Sequence, residues 1–114
     1  MEKLIVNTPK YCYIISFKEI VFCTSKNKKE TLFVLSDNKE IIVPKPLKEF
    51  NGLLEHKGFI RPFHSYIINQ NHINCVQKKP NIHIILTNGH SIPVSQNKAK
   101  EVFRLINQEY KIQL

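Results

Sequence analysis

Aspartate occurs once in this chain, at Asp37, and glycine only three times, at Gly52, Gly58 and Gly89. A phosphate-cradling loop needs clustered glycines so that backbone amides can approach the ligand, and no such cluster is present. General acid–base work needs titratable groups brought together, yet Asp37 sits in turn chemistry and no periodicity pairs a carboxylate with a histidine. No serine stands in a strained strand-to-helix elbow. The chain is therefore not expected to be an enzyme. Cysteine is scarce and odd in number, with Cys12, Cys23 and Cys75 forming no close pair, which argues against a disulfide framework. Aromatic or β-branched neighbours surround each cysteine, so all three are expected to be buried thiols. His72 and Cys75 lie three apart, but on a strand they point to opposite faces, and no second pair with zinc spacing exists. Neither a metal nor a cofactor is expected. No apolar run approaches the ~20 residues of a membrane span. The start, Met1 to Asn7, is too short and too acidic for a signal peptide, so a cytoplasmic protein without membrane contact is expected.

What is present is enough for one domain over residues 1–114, with 42% hydrophobic residues to build a core. Seventeen Lys and Arg against nine Asp and Glu leave a net charge of +8, which favours a polyanionic partner. Short runs rich in β-branched and aromatic residues recur between turn signals: Leu4–Val6, Tyr11–Ile15, Ile20–Thr24, Thr31–Leu35 and Glu40–Val43. Ser25–Glu30 reads as a polar hairpin with three lysines. Pro44-Lys45-Pro46 breaks this antiparallel rhythm, and residues 46–56 carry Leu47, Phe50, Leu53 and Leu54 at helical spacing, with Gly58 just beyond. Asn74–Gln77 extends a strand from His72-Ile73. Ile82–Leu86 and Ser91–Val94 flank an Asn88-Gly89 turn, a strong hairpin signal. Ser95 then fits an N-cap for a last helix whose inner face is Ala99, Val102, Phe103, Ile106 and Tyr110. The residues predict a mostly β protein with one short helix in mid-chain and one at the C-terminus.

The densest stretch is Phe59–Ile73. It reads as a buried strand, Tyr66–Ile68, between two polar knots: Arg61, His64 and Ser65 on one side and Asn69–His72 on the other. Both knots are expected to hold side chains towards a ligand, as turns on a rigid β scaffold can. Lys26-Asn27-Lys28-Lys29, His64-Ser65 and Ser95–Lys98 also carry donors suited to phosphates and base edges. The aromatic residues fall inside strand and helix patterns and so look like core, which disfavours the stacking platforms of single-strand and RNA binders. A basic duplex-binding module is the reading favoured by residue chemistry.

The segment Phe59-Ile60-Arg61-Pro62-Phe63-His64-Ser65-Tyr66-Ile67-Ile68-Asn69, continued by Asn71-His72-Ile73, resembles the FxRxHRSxxVNxxxI signature of the LytTR family of bacterial DNA-binding domains. Lys18–Cys23 is similar to the family's D-I-x-Y-x-E strand, Leu47-Lys48-Glu49-Phe50 to its L-K-E-L helix, and Asn88–Ser95 to its N-G-x-x-I-P-V-S-R close. Order and spacing hold from about residue 11 to residue 107.

The resemblance implies an elongated arrangement of about ten short strands in small antiparallel sheets. It implies a sequence-specific transcriptional regulator of the response-regulator, two-component type, binding double-stranded DNA in successive major grooves. Lys28, Lys29, Glu30 and Thr31, then His64 and Ser65, then Gln96 and Asn97 occupy the family's contact positions. Arg61, Lys98 and Lys100 join them as expected phosphate contacts, with service in the core as the alternative for Arg61. A receiver domain or sensor partner outside this chain, and a dimer on direct repeats, are also implied. No receiver fits in 114 residues, and the initial Met1 favours a free-standing form. Phe63 and His64 replace the family's His-Arg, Gln96 replaces its arginine, and Glu30 stands where a basic residue is frequent. These departures motivate the alternative, a protein-interaction module on the same scaffold.

Overall fold

The structure, a computed structural model, describes residues 2–107 and 112–114. Among these residues the chain forms ten strands and two α-helices. Strands β1 (Lys3–Asn7) and β2 (Cys12–Ser16) make a separate ribbon. A five-stranded sheet follows in the order β5-β4-β3-β7-β6, from β3 (Ile20–Asn27), β4 (Glu30–Leu35), β5 (Glu40–Val43), β6 (Phe59–Phe63) and β7 (Tyr66–Asn69). Helix α1 (Lys48–His56) links β5 to β6. A three-stranded sheet, β10-β9-β8, is built from β8 (Ile73–Gln77), β9 (His83–Leu86) and β10 (Ser91–Pro93), and α2 (Gln96–Ile106) follows. All pairings are antiparallel. The molecule is elongated, 52 × 30 × 24 Å. This is the mostly β architecture expected from the sequence.

The five-stranded sheet is buried on both faces. On one side Phe33, Val43 and Ile67 pack with Leu4, Val6 and Ile15 of the ribbon and with Leu47, Phe50 and Leu54 around α1. On the other, Val34 and Ile68 pack with Ile84, Leu86 and Ile92 of the second sheet and with Val102 of α2. Strand β4 serves both cores by simple alternation, Phe33 to one and Val34 to the other. Strand β3 cannot, because Ile20 to Cys23 are all buried. Its register against β4 slips between Ile20 and Phe22, and this bulge sends Val21 and Phe22 to the same core while Ile20 and Cys23 serve the other.

Burial departs from the sequence expectation in several places. Only Cys23 is buried, whereas Cys12 and Cys75 are exposed. Apolar neighbours along a strand do not bury a residue when alternation turns it outward. On the ribbon, Ile15 is 3% exposed but Ile14 is 63%. Tyr11 is likewise exposed rather than core. Leu53 is exposed because Leu47, Phe50 and Leu54 share an arc of the α1 surface that Leu53 only borders. The β3 strand runs to Asn27 and pairs it with Glu30, so the expected six-residue loop shrinks to a Lys28-Lys29 turn. Tyr110, expected on the inner face of the last helix, lies outside the described residues.

The second polar knot is structural. Asn69 is 3% exposed. Its Nδ2 donates to the carbonyls of Ile20 (3.0 Å) and Phe17 (3.3 Å), and its Oδ1 accepts from the Asn71 amide (3.0 Å). His72, in a 3-10 turn rather than a strand, lies 2.7 Å by Nε2 from the Lys18 carbonyl and 2.9 Å by Nδ1 from the Thr87 hydroxyl. The Lys18 carbonyl can only accept, so Nε2 carries a proton. These contacts clasp the two larger sheets together at one pole.

Candidate nucleic-acid interface

Strand direction decides which turns meet at the opposite pole. Strand β3 starts beside Asn69 and runs away from it to Asn27. Its antiparallel partners β4 and β7 start at that far end, with Glu30 and Tyr66. Strand β6 arrives there at Phe63, opposite Tyr66. In the second sheet, β8 leaves the His72 clasp, and β10 returns to end at Pro93, three residues before α2. The β3–β4 hairpin, the β6–β7 turn and the start of α2 therefore share one pole.

Hydrogen bonds lace these pieces together. The Ser65 carbonyl accepts from the Ser25 amide (3.2 Å) and the Thr24 hydroxyl (2.8 Å), joining the β6–β7 turn to the hairpin stem. The Ser95 amide donates to the Pro62 carbonyl (3.0 Å), joining α2 to β6. Pro62 is tolerated because β6 is an edge strand, where a missing N–H costs no ladder bond. Between Ile60 and Phe63 the β6 strand carries one extra residue relative to β7. Arg61 lies in this bulge, and its guanidinium donates to the His64 carbonyl through Nε (3.0 Å) and Nη2. Arg61 thus shapes the turn that presents His64, whose exposed ring stacks beside Phe63 at 4.6 Å between centroids.

At the hairpin tip, Asn27 Oδ1 accepts from the Lys29 amide (2.8 Å) and Asn27 Nδ2 donates to Glu30 Oε1 (2.7 Å). The Glu30 carboxylate is therefore held at the base of the tip, while Lys28 and Lys29 extend into solvent. Thr31 corrects the sequence expectation. It is fully buried and its hydroxyl donates to the Lys45 carbonyl at 2.7 Å, so its side chain is not available to a phosphate or a base.

Ser95 occupies the N-cap position of α2 in extended geometry, but its hydroxyl does not cap the helix. It donates instead to Asn97 Oδ1 (2.7 Å), and lies 3.4 Å from the Pro62 carbonyl. The first amides of α2 are left without a side-chain cap, behind exposed Gln96 and Asn97. Lys98 and Lys100 leave the helix on opposite sides, about 200° apart. Lys98 lines a cavity of about 310 Å³ with Arg61 and Glu101, whereas Lys100 is exposed.

Charge is segregated along the chain. From residue 56 to residue 100 there is no Asp or Glu, a span running from the end of α1 to the first turns of α2. Ion pairs join Lys39 to Asp37, Lys45 to Glu49 and Lys57 to Glu2. Among the described residues Lys28, Lys29, Lys98 and Lys100 have no ion-pair partner. Unneutralised cations on adjoining loops add their fields and raise the local concentration of a polyanion.

The profile of the LytTr DNA-binding domain matches residues 10–107. The chain belongs to the LytTR family of DNA-binding domains. It is also similar, at TM-score 0.76 and 25% identity, to the LytTr DNA-binding domain of a protein described as a methyl-accepting/DNA response regulator from Bacillus cereus. That likeness covers 93% of this chain and 97% of the other. Among curated proteins no match was found. In this LytTR domain the signature divides in two. Arg61, His64 and Ser65 build the laced pole, and Asn69 and His72 hold the clasp at the other end. Sequence reasoning missed Asn27 as the organiser of the hairpin tip and Pro62 as the acceptor for α2, because both roles rest on partners that only folding supplies. The acid-free span, by contrast, could have been counted from the sequence.

Proposed function

We propose that this LytTR domain is a sequence-specific regulator that grips duplex DNA with its laced pole. Lys28 and Lys29 hold phosphates beside one major groove, and the start of α2 addresses the next. His64, Gln96 and Asn97 read base edges, while Ser65, Lys98 and Lys100 bind backbone. Arg61 acts mainly through the His64 carbonyl. The observation that carries this reading is the hydrogen-bonded succession of hairpin, turn and helix start, whose last two members lie in a span, residue 56 to residue 100, without a carboxylate.

Duplex DNA at the cell's interior, a receiver or sensor partner, and pairing of two copies on direct repeats complete the proposal. Four lysine–phosphate contacts give a slope of about −3.6 for log affinity against log salt. That corresponds to a loss of roughly 100-fold between 50 and 200 mM salt. The experiment is a titration of random duplex at both concentrations, followed by selection of bound sequences from a random library. Steep salt dependence and an enriched site are expected. Glu30 at the hairpin and Gln96 in place of arginine favour a second reading, a protein-interaction module, for which little duplex would bind at either concentration.

A further inference from the structure

We propose that the β8–β9 loop, through Lys78 and Lys79, is a fourth contact with the DNA backbone, flanking the start of α2. The inference rests on the DNA-binding reading above and extends its footprint to a loop outside the family's three contact places.

Strand register sets the position of the loop. Gln77 at the end of β8 pairs with His83 at the start of β9, and His83 pairs with Pro93 at the end of β10. The chain between Gln77 and His83 therefore reverses at the pole where α2 begins. The Val94 amide donates to the Ile82 carbonyl at 3.1 Å, so the loop is bonded to the residue just before Ser95. With the Ser95–Pro62 bond and the Ser65 carbonyl, this makes an unbroken succession: hairpin, β6–β7 turn, α2 start, β8–β9 loop. The two sheets are also clasped at the far pole by His72, which prevents the loop from swinging away as a separate body.

The loop is braced, since Gln77 Nε2 donates to the Asn81 carbonyl at 3.3 Å. Lys78 and Lys79 are exposed, and among the described residues neither has an ion-pair partner. Both fall inside the span without carboxylates, whereas Lys45, which enters the same pole from β5, is paired with Glu49. Two adjacent cations beside a reading element, with no internal acid to neutralise them, suit phosphates that flank the bases contacted by Gln96 and Asn97.

The test measures salt dependence for Lys78→Gln/Lys79→Gln beside Lys18→Gln/Lys39→Gln, with ethylation interference to map the phosphates touched. Losing two phosphate contacts should lower the magnitude of the salt slope by about 1.8. Sequence preference should stay the same, and the interference signal on the flanking phosphates should disappear. The control pair should leave slope and footprint unchanged. A wild-type slope and footprint in Lys78→Gln/Lys79→Gln would overturn this contact and leave the DNA-binding reading standing. Absence of salt-dependent duplex binding by the wild-type protein would overturn both.

Discussion

Replacing Asn69 separates a structural role from a ligand-facing one. The residue is 3% exposed and makes three hydrogen bonds, to the Ile20 and Phe17 carbonyls and from the Asn71 amide. At a net value of about 1 kcal/mol per bond, Asn69→Ala should cost about 3 kcal/mol. The loss at Phe17 is softened because its carbonyl also accepts from the Ile20 amide. Asn69→Asp should be worse than Asn69→Ala at neutral pH. It keeps the acceptor for Asn71 but sets a buried carboxylate against two carbonyl oxygens that need a donor. A domain of this size is stable by about 5–15 kcal/mol, so either change leaves a folded protein at low temperature. The melting temperature should fall by roughly 10 °C or more for Asn69→Ala, and further for Asn69→Asp. Urea unfolding and thermal melts would measure the loss, and duplex titration at a temperature where both variants are folded would measure function. Affinity per folded molecule should be unchanged. Wild-type melting combined with lost DNA affinity would refute the argument, because it would place the amide against DNA.

Five further outcomes follow from the same geometry. Gln96→Ala should cost about 1–3 kcal/mol on the selected site and relax preference at one base position, whereas Lys28→Ala should weaken all duplexes alike and reduce the salt slope by about one unit. Thr31→Val should remove about 1–2 kcal/mol of stability, seen in urea unfolding, because it orphans the Lys45 carbonyl, while DNA affinity and salt slope stay constant. Arg61→Lys keeps the charge but cannot reproduce the forked contact with the His64 carbonyl, so affinity should fall several-fold in titration with no change in slope. A thiol reagent at pH 8 should modify Cys12 and Cys75 in the native protein but reach Cys23 only on unfolding, since burial pushes the Cys23 thiol pKa well up and keeps it from ionising.

Local signals served well where one stretch of chain determines its own geometry. Asn88-Gly89 does form a hairpin turn, with Gly89 at φ 91° where a side chain would be strained. Gly58, at φ 86°, does close α1. The same signals misjudged Cys12 and Cys75, and the family resemblance misjudged Thr31, because a period of two divides a strand into two faces without saying what covers each. In β4 both faces are covered, so Thr31 is buried although it follows a solvent-exposed hairpin. In β2 one face is open, so Cys12 is exposed although its neighbours are aromatic and branched.

Composition and spacing alone determined the β rhythm, the two helices, the basic balance and the match to the LytTR signature. Each depends on side-chain type at short range or on a simple count. Tertiary structure decided which half of that signature faces outward. Asn69 and His72 are drawn inward by the carbonyls of Phe17, Lys18 and Ile20, some fifty residues earlier in the chain. It also decided that Ser65 meets Thr24 and Ser25 and that Pro62 meets Ser95. A hydrogen bond between residues far apart in sequence leaves no periodic trace, so only the folded chain shows which turns stand side by side.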